Sequence, residues 1–228
     1  MLDYYKILNW DTFSVDYFNY LHTNLLPKLE VKTHHDLACG SWIFVNNMTK
    51  IWYESNGSNI AFDQIELAKK RYKNIDFSIK DMTDFSLETP VDLITCNNDA
   101  INHLYSFYEW IELFRCAYNN LNDKWYFIFD FHTLEQINNA KKDELNYNKD
   151  NFLITFSEQW IGNNFYRSSW RIIDKDTDKC VKILKSYQTS FDENAVYQAL
   201  KKVWFSRYSF LDISTSKRKY VVAFKEIL

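Results

Sequence analysis

The stretch Asp36-Leu37-Ala38-Cys39-Gly40-Ser41-Trp42 closes a short apolar run, His35–Ala38, with a tight turn at Gly40-Ser41. Helical spacing of apolar residues resumes from Phe44 to Tyr53, so the three pieces read as strand, turn and helix. Ligands of open α/β sheets sit at the carboxyl ends of the strands, near the point where the strand order reverses. A glycine turn at such an end lets backbone amides approach a ligand with no side chain in the way.

Working outward, the pattern repeats. Phe13 to Leu26 is helical, with Phe18, Leu21 and Leu25 on one face and Pro27 just beyond. After the turn, Asn59–Ala61 is a short strand candidate. Asp63–Tyr72 is a helix whose late Lys69, Lys70 and Arg71 suit its dipole. Ile75–Ile79 and Val91–Cys96 are strand-like, Asp99–Leu121 is mostly helical, and Tyr126–Phe131 is a buried strand. This alternation predicts a parallel sheet with helices on both faces. It breaks near Lys141: residues 141–150 are polar and loop-like, and Phe152–Trp160, Phe165–Asp174 and Val181–Thr189 alternate like antiparallel strands. Asp192–Val203 is a last helix, and Tyr208–Ile213 and Tyr220–Phe224 form a closing pair of strands.

Composition narrows the function classes. The 228 residues fit one domain, and 46% hydrophobic content can fill a core. A net charge of -3 gives no footprint for a nucleic-acid backbone or an anionic membrane. No apolar stretch approaches a membrane span, and the N-terminus does not read as a targeting segment. Cys39, Cys96, Cys116 and Cys180 show no CxxC spacing. They are expected as reduced thiols, which places the chain in the cytoplasm and assigns it no metal.

The quoted turn resembles the cofactor loop of class I S-adenosylmethionine (SAM) methyltransferases, Asp/Glu-x-Ala/Gly-Cys-Gly-Thr/Ser-Gly. Other landmarks of that family follow in order. Gly57-Ser58-Asn59-Ile60-Ala61 resembles the second strand, with Asn59 where the family places a ribose-binding carboxylate. Phe77-Ser78-Ile79-Lys80-Asp81-Met82 resembles the segment whose Asp bonds the adenine amino group. Asp92 to Asn98 is similar to strand four, and Leu121 to Asp130 to strand five. The resemblance is close over 31–135 and looser beyond, and the antiparallel segment looks most like the small-molecule branch, which includes glycine and amino-sugar N-methyltransferases.

It implies a Rossmann-like, seven-stranded, mostly parallel sheet plus a small antiparallel insert. The parts would be a helical cap at 1–30, a SAM-binding core at 31–140, an insert at 141–190 and a closing helix and hairpin at 191–228. The cofactor would be SAM, held by Asp36, Ala38, Cys39, Gly40, Ser41, Trp42, Asn59, Ile60, Asp81, Met82 and Asn97. The acceptor would be a nitrogen or oxygen atom of a small molecule. His103 and His132, which follow strands four and five, are the candidates for orienting the nucleophile or taking its proton.

One inversion runs through the chain. It has three Gly, where about 16 are expected, and eight Trp. Trp42, Trp52, Trp125 and Trp204 occupy family Gly positions. A bulky residue in a left-handed turn costs on the order of 1–2 kcal/mol. Two explanations stand: a pseudoenzyme whose Trp42 fills the cofactor cleft and which acts through an interface, or a gene that reads UGA as Gly. The selective Gly-to-Trp pattern favours recoding.

Among the remaining polar residues, His34 and His35 read as structural, and Lys217-Arg218-Lys219 as a solvated hairpin turn. Tyr4, Tyr5 and Tyr17 lie in the N-terminal cap and suit an aromatic core. The insert, rich in aromatic residues, is expected to wall an acceptor pocket. Its exposed edge can also pair with a second copy to make a homodimer.

Overall fold

A computed structural model describes residues 7–8, 10–40, 42–51, 53–139, 144–162, 164–211 and 218–226. Tyr4, Tyr5, Ser41, Trp52 and Lys217 lie outside them. The chain opens with helix α1 (Trp10–Asn24) and continues through β1 (Thr33–Leu37), α2 (Ile43–Lys50), β2 (Glu54–Asn59), α3 (Phe62–Arg71), β3 (Phe77–Ile79) and β4 (Val91–Cys96). A short 3-10 turn, Ala100–His103, leads to α4 (Phe107–Asn120), β5 (Leu121–Phe131) and α5 (Leu134–Asn138). Strands β6 (Glu144–Lys149), β7 (Phe152–Gly162), β8 (Phe165–Asp174) and β9 (Lys179–Thr189) follow. The described chain closes with α6 (Glu193–Lys202), β10 (Phe205–Leu211) and β11 (Lys219–Lys225).

The main sheet has the order β10-β11-β5-β4-β1-β2-β3. Strands β1 to β5 are parallel, while β11 runs antiparallel to both β5 and β10. Period-two burial covers both faces. Leu93, Ile128 and Val222 face α1 and α2 through Tyr17, Phe18, Leu21, Phe44 and Met48. Ile94, Phe127, Phe129 and Val221 face α4 and α6 through Trp110, Phe114, Val196 and Leu200. Ser106 and Glu109 form a capping box that starts α4, and Asp192 accepts from the Asn194 and Ala195 amides to start α6. Strands β6 to β9 make a separate antiparallel sheet. Its inner face buries Ile154 and Ile172 against Ile7 and Leu8, with Trp10 and Trp170 edge to face at 5.2 Å.

Three expectations are corrected. The strand expected at Asn59–Ala61 lies earlier, at Glu54–Asn59, and Ala61 instead precedes α3. Glu-Ser-Asn-Gly-Ser-Asn has no apolar alternation. It is nonetheless held as a strand by β1 on one side and β3 on the other. Residues 144–149, expected as loop, pair with β7 as an edge strand. Trp125 is not left-handed; the left-handed residue within β5 is its neighbour Lys124, with φ 69°.

The other two described Trp at family Gly positions do sit where glycine is favoured, Trp42 with φ 55° and Trp204 with φ 71°. Trp204 follows α6 and is 63% exposed, so its indole offsets little of the backbone strain. Trp204→Gly should therefore stabilise the fold by about 1 kcal/mol, the left-handed cost less glycine's extra chain entropy. Urea unfolding of the two proteins reads this directly. A destabilised Trp204→Gly would show that the position is not shaped for glycine.

Candidate functional site

The parallel register aligns the carboxyl ends of β1 to β5 along one rim: Leu37 pairs with both Ser58 and Cys96, Asn59 with Ile79, and Cys96 with Phe129. At the end of β1 the backbone turns left-handed at Ala38 (φ 52°), Gly40 (φ 43°) and Trp42 (φ 55°). The Cys39 amide bonds the Ser58 carbonyl at 2.9 Å, tying the turn to β2. Gly57 makes that approach possible. A Cβ there would stand 3.0 Å from the Val45 side chain and 3.1 Å from Cys39.

Trp42 caps α2 and its indole is buried with Cys39, Val45, Ile65, Ala68 and Phe77, the cluster that joins α2 to α3 and β3. Its Nε1 is buried with no hydrogen-bond partner. The indole thus packs beside the sheet, and does so at the cost of an unsatisfied donor.

Asp36, fully inside the sheet, is the electrostatic centre of the rim. Its Oδ1 accepts from the Thr95 hydroxyl at 2.5 Å and from the Asn97 amide at 2.9 Å. Burial, only partly opposed by those bonds, pushes the carboxyl up to about 7. Thr95 Oγ1 also meets His34 Nε2 at 2.9 Å, and His34 Nδ1 meets Ser55 Oγ at 2.7 Å. His35 bonds Asn56 and Ser58 on the opposite face. Both imidazoles are structural, as expected, and burial holds them neutral, His34 down to about 3 and His35 to about 4. The Asn97 Oδ1, just past the end of β4, is buried and unpartnered.

The remaining predicted cofactor residues lie along β2 and β3. Asn59 closes β2, its Oδ1 accepting from the Ala61 amide at 2.9 Å. Ile60, 69% exposed, Phe62 and Ile79 present apolar side chains to solvent at these ends. Asp81 is exposed and accepts from the Thr83 amide and hydroxyl, both at 2.8 Å. Met82 packs against the main core with its sulfur 4.0 Å from Cys96.

The other half of the rim was only partly legible in the sequence. His132 follows β5, its backbone fixed by Asn102, while His103 Nδ1 bonds the Tyr187 carbonyl of β9 at 3.2 Å. Beside His132 stands a charged group that sequence reading missed. Arg218, expected as a solvated turn residue, is nearly buried and bridges Asp99 at 2.9 Å and Asp130 at 2.8 Å. Flanking Lys217 and Lys219 hid it. The only signal was an Asp amid the aromatics of β5, Phe129-Asp130-Phe131. The insert meets this rim through Gln188, which donates to Asp99, and through Thr189, whose carbonyl accepts from Asn102 at 2.6 Å. Among the described residues no His, Cys, Asp or Glu group could hold a metal.

No family model matches the chain, and no curated protein does. Solved structures do. A SAM-dependent methyltransferase from Clostridium acetobutylicum aligns over 98% of this chain and 96% of its own, with a TM-score of 0.79 and 16% identity. SAM-bound CalS10, an amino pentose methyltransferase from Micromonospora echinaspora, aligns over 99% and 98%, with a TM-score of 0.80 and 15% identity. DesVI of Streptomyces venezuelae aligns over 99% of both chains, with a TM-score of 0.79 and 16% identity. The fold is that of the Rossmann-like SAM methyltransferases, with the antiparallel sheet included.

The buried groups of β1 set a pH dependence. His34 and His35 have folded values below the usual 6.5, so their contribution is present above 6.5 and lost as pH falls toward 4 and 3. Asp36 runs the other way, its folded value lying above 3.8, so its contribution is lost as pH rises from 3.8 through about 7. Between pH 4.5 and 6.5 two protons against one leave a net slope of about 1.4 kcal/mol per pH unit. Urea unfolding should find the protein about 3 kcal/mol less stable at pH 4.5 than at 6.5. A flat profile would mean that the two imidazoles are not held neutral.

Proposed function

We propose that this chain transfers a methyl group from SAM to a nitrogen or oxygen atom of a small molecule. The observation that supports it is a rim with three unlike features in a row. These are a left-handed turn at Ala38, Gly40 and Trp42, an unpartnered buried acceptor at Asn97, and exposed apolar side chains at Ile60 and Ile79. A nucleoside joined to an amino acid needs such a sequence of surfaces. Asp36 and Asn97 suit the ammonium end, Asn59 the ribose, Asp81 the adenine amino group, and Ile60 and Met82 the adenine face. When bound, SAM supplies an electrophilic methyl on sulfur. The chain's own task is then to align the acceptor with the sulfur–methyl bond and exclude water, for which His103 and His132 stand on the acceptor side of the rim. The likeness to an amino pentose methyltransferase supports a small, sugar-sized acceptor. Four free cysteines suit a cytoplasmic setting.

Two left-handed Trp positions support the recoding reading, in which residues 42, 52, 125 and 204 are glycine in the cell. The pseudoenzyme reading puts the Trp42 indole in the cofactor cleft, whereas the indole packs beside the sheet with Cys39, Val45, Ile65, Ala68 and Phe77. The unsatisfied Nε1 and the left-handed backbone also weigh against that reading.

Calorimetry separates the two readings. The protein with Gly at 42, 52, 125 and 204 should bind SAM at micromolar concentration, the unmodified chain should not, and adding Asp81→Ala should weaken binding by about 1–3 kcal/mol. Peptide masses from the native cell should show glycine at the same four positions. If the glycine form does not bind SAM, the methyltransferase reading fails. If native peptides contain Trp, the recoding fails.

A further inference from the structure

Two consecutive non-glycine residues after β4 are left-handed, Asn98 with φ 58° and Asp99 with φ 53°. Conformations of this kind are strained, and persist where the surroundings over-determine them. The surroundings do so here. Asn98 Nδ2 donates to Ser14 Oγ of α1 at 2.9 Å, and the Asp99 amide donates to Asp130 Oδ2 at 2.9 Å. The turn projects the Asp99 carboxylate onto the acceptor side of the rim, where side chains from three distant parts of the chain meet it. Arg218 Nη1 reaches Oδ1 at 2.9 Å, while Gln188 Nε2 of the insert donates to Oδ2. His132 Nε2 faces the same Oδ2 at 3.8 Å.

Arg218 cannot swing away, because the same nitrogen is bound at 2.8 Å by Asp130, which is fully buried. Asp99 is therefore fixed from two sides. His132 is fixed through its backbone, its amide donating to Asn102 Oδ1 at 2.8 Å and its carbonyl accepting from Asn102 Nδ2 at 3.2 Å. Its imidazole, by contrast, is 34% exposed to the rim.

We propose that Asp99, locked by Arg218 and Gln188, is a positioning residue that keeps the proton of His132 on Nε2, so that Nδ1 is the unprotonated nitrogen offered to the methyl acceptor. The inference rests on the methyl-transfer reading. As the acceptor's nitrogen or oxygen forms its bond to the methyl carbon and the carbon–sulfur bond breaks, the proton leaving the acceptor passes to His132 Nδ1. The imidazolium so formed lies beside the Asp99 carboxylate, which favours it. Gln188 makes the arrangement conditional on the insert, since without β9 one of Asp99's three partners is gone.

The test reads the imidazole, not turnover. In the glycine-bearing protein labelled with 15N-histidine, long-range nitrogen–proton correlation at pH 8 should show His132 as a single Nε2–H tautomer, with its two nitrogen signals far apart. In Asp99→Asn, which keeps the shape of the side chain, that tautomer should be lost and the two signals should converge or exchange places. Asp99→Ala gives a second reading with no amide to donate. Gln188→Ala keeps the carboxylate but removes one of the groups that hold it, so the separation of the two nitrogen signals should shrink without reversing. SAM calorimetry on the same samples keeps the two ideas apart. A tautomer unchanged in both Asp99 variants while SAM still binds overturns this inference alone. No SAM binding by the glycine-bearing protein overturns the methyl-transfer reading, and the acceptor role of His132 with it.

Discussion

A carboxylate buried in the middle of a parallel sheet is the constraint around which the rest of this structure is arranged. Asp36 stands on β1, flanked by β2 and β4, with no cation among its described hydrogen-bond partners. A buried charge is costly unless it is paired or neutralised. The sheet responds with Thr95 of β4 and Asn97 just beyond its end. Thr95 is in turn met by His34, and His34 by Ser55 of β2. Parallel strands are usually continuous apolar runs. Here β1 and β2 are polar at their centres, and the polar side chains satisfy one another across the strands. The unpartnered Asn97 oxygen and the raised Asp36 carboxyl both suit a cationic group arriving at the strand ends.

The turn after β1 meets a second constraint. Its backbone conformation favours glycine at positions 38, 40 and 42, and only position 40 has one. Alanine tolerates position 38 at modest cost. Tryptophan at 42 combines that cost with an indole nitrogen left dry in an apolar cluster. Substituting glycine for a buried tryptophan normally costs about 3–5 kcal/mol through the cavity it leaves. Here the relief of strain and of an unsatisfied donor offsets a comparable amount. The position is close to neutral between the two residues, so a backbone shaped for glycine can hold tryptophan at little net cost to the fold.

Elements with strong apolar periodicity were legible in the sequence: α1, β4, the core of β5 and three insert strands lie within a few residues of expectation, while α4 starts at Phe107 and not at Asp99, after a 3-10 turn. What failed has physical reasons. Strand β2 is Glu-Ser-Asn-Gly-Ser-Asn, whose pairing is decided by its neighbours and not by its own composition. Strand β6 is an exposed edge, where polar residues are the rule. The third Trp expected at a left-handed position is displaced by one, onto Lys124, because a turn's register is finer than a motif's. The left-handed turn after β1 follows a contiguous stretch of sequence, Ala38 to Trp42, and its place at a strand end could be read from order along the chain. Arg218 could not, because its partners Asp99 and Asp130 lie 119 and 88 residues away.

The same separation explains why the cluster around Asp99 is the part that only coordinates reveal. Asp99, His132, Gln188 and Arg218 come from four distant parts of the chain that the fold alone brings together. The cofactor side, in contrast, follows the chain from β1 to β4 and holds the features that motivate a SAM site. The most direct test of that assignment is a crystal structure of the protein bearing Gly at 42, 52, 125 and 204 with S-adenosylhomocysteine. The account predicts the adenine between Ile60 and Met82, the ribose at Asn59 and the ammonium at Asp36 and Asn97. Density for the ligand anywhere other than the ends of β1, β2 and β4 would contradict it.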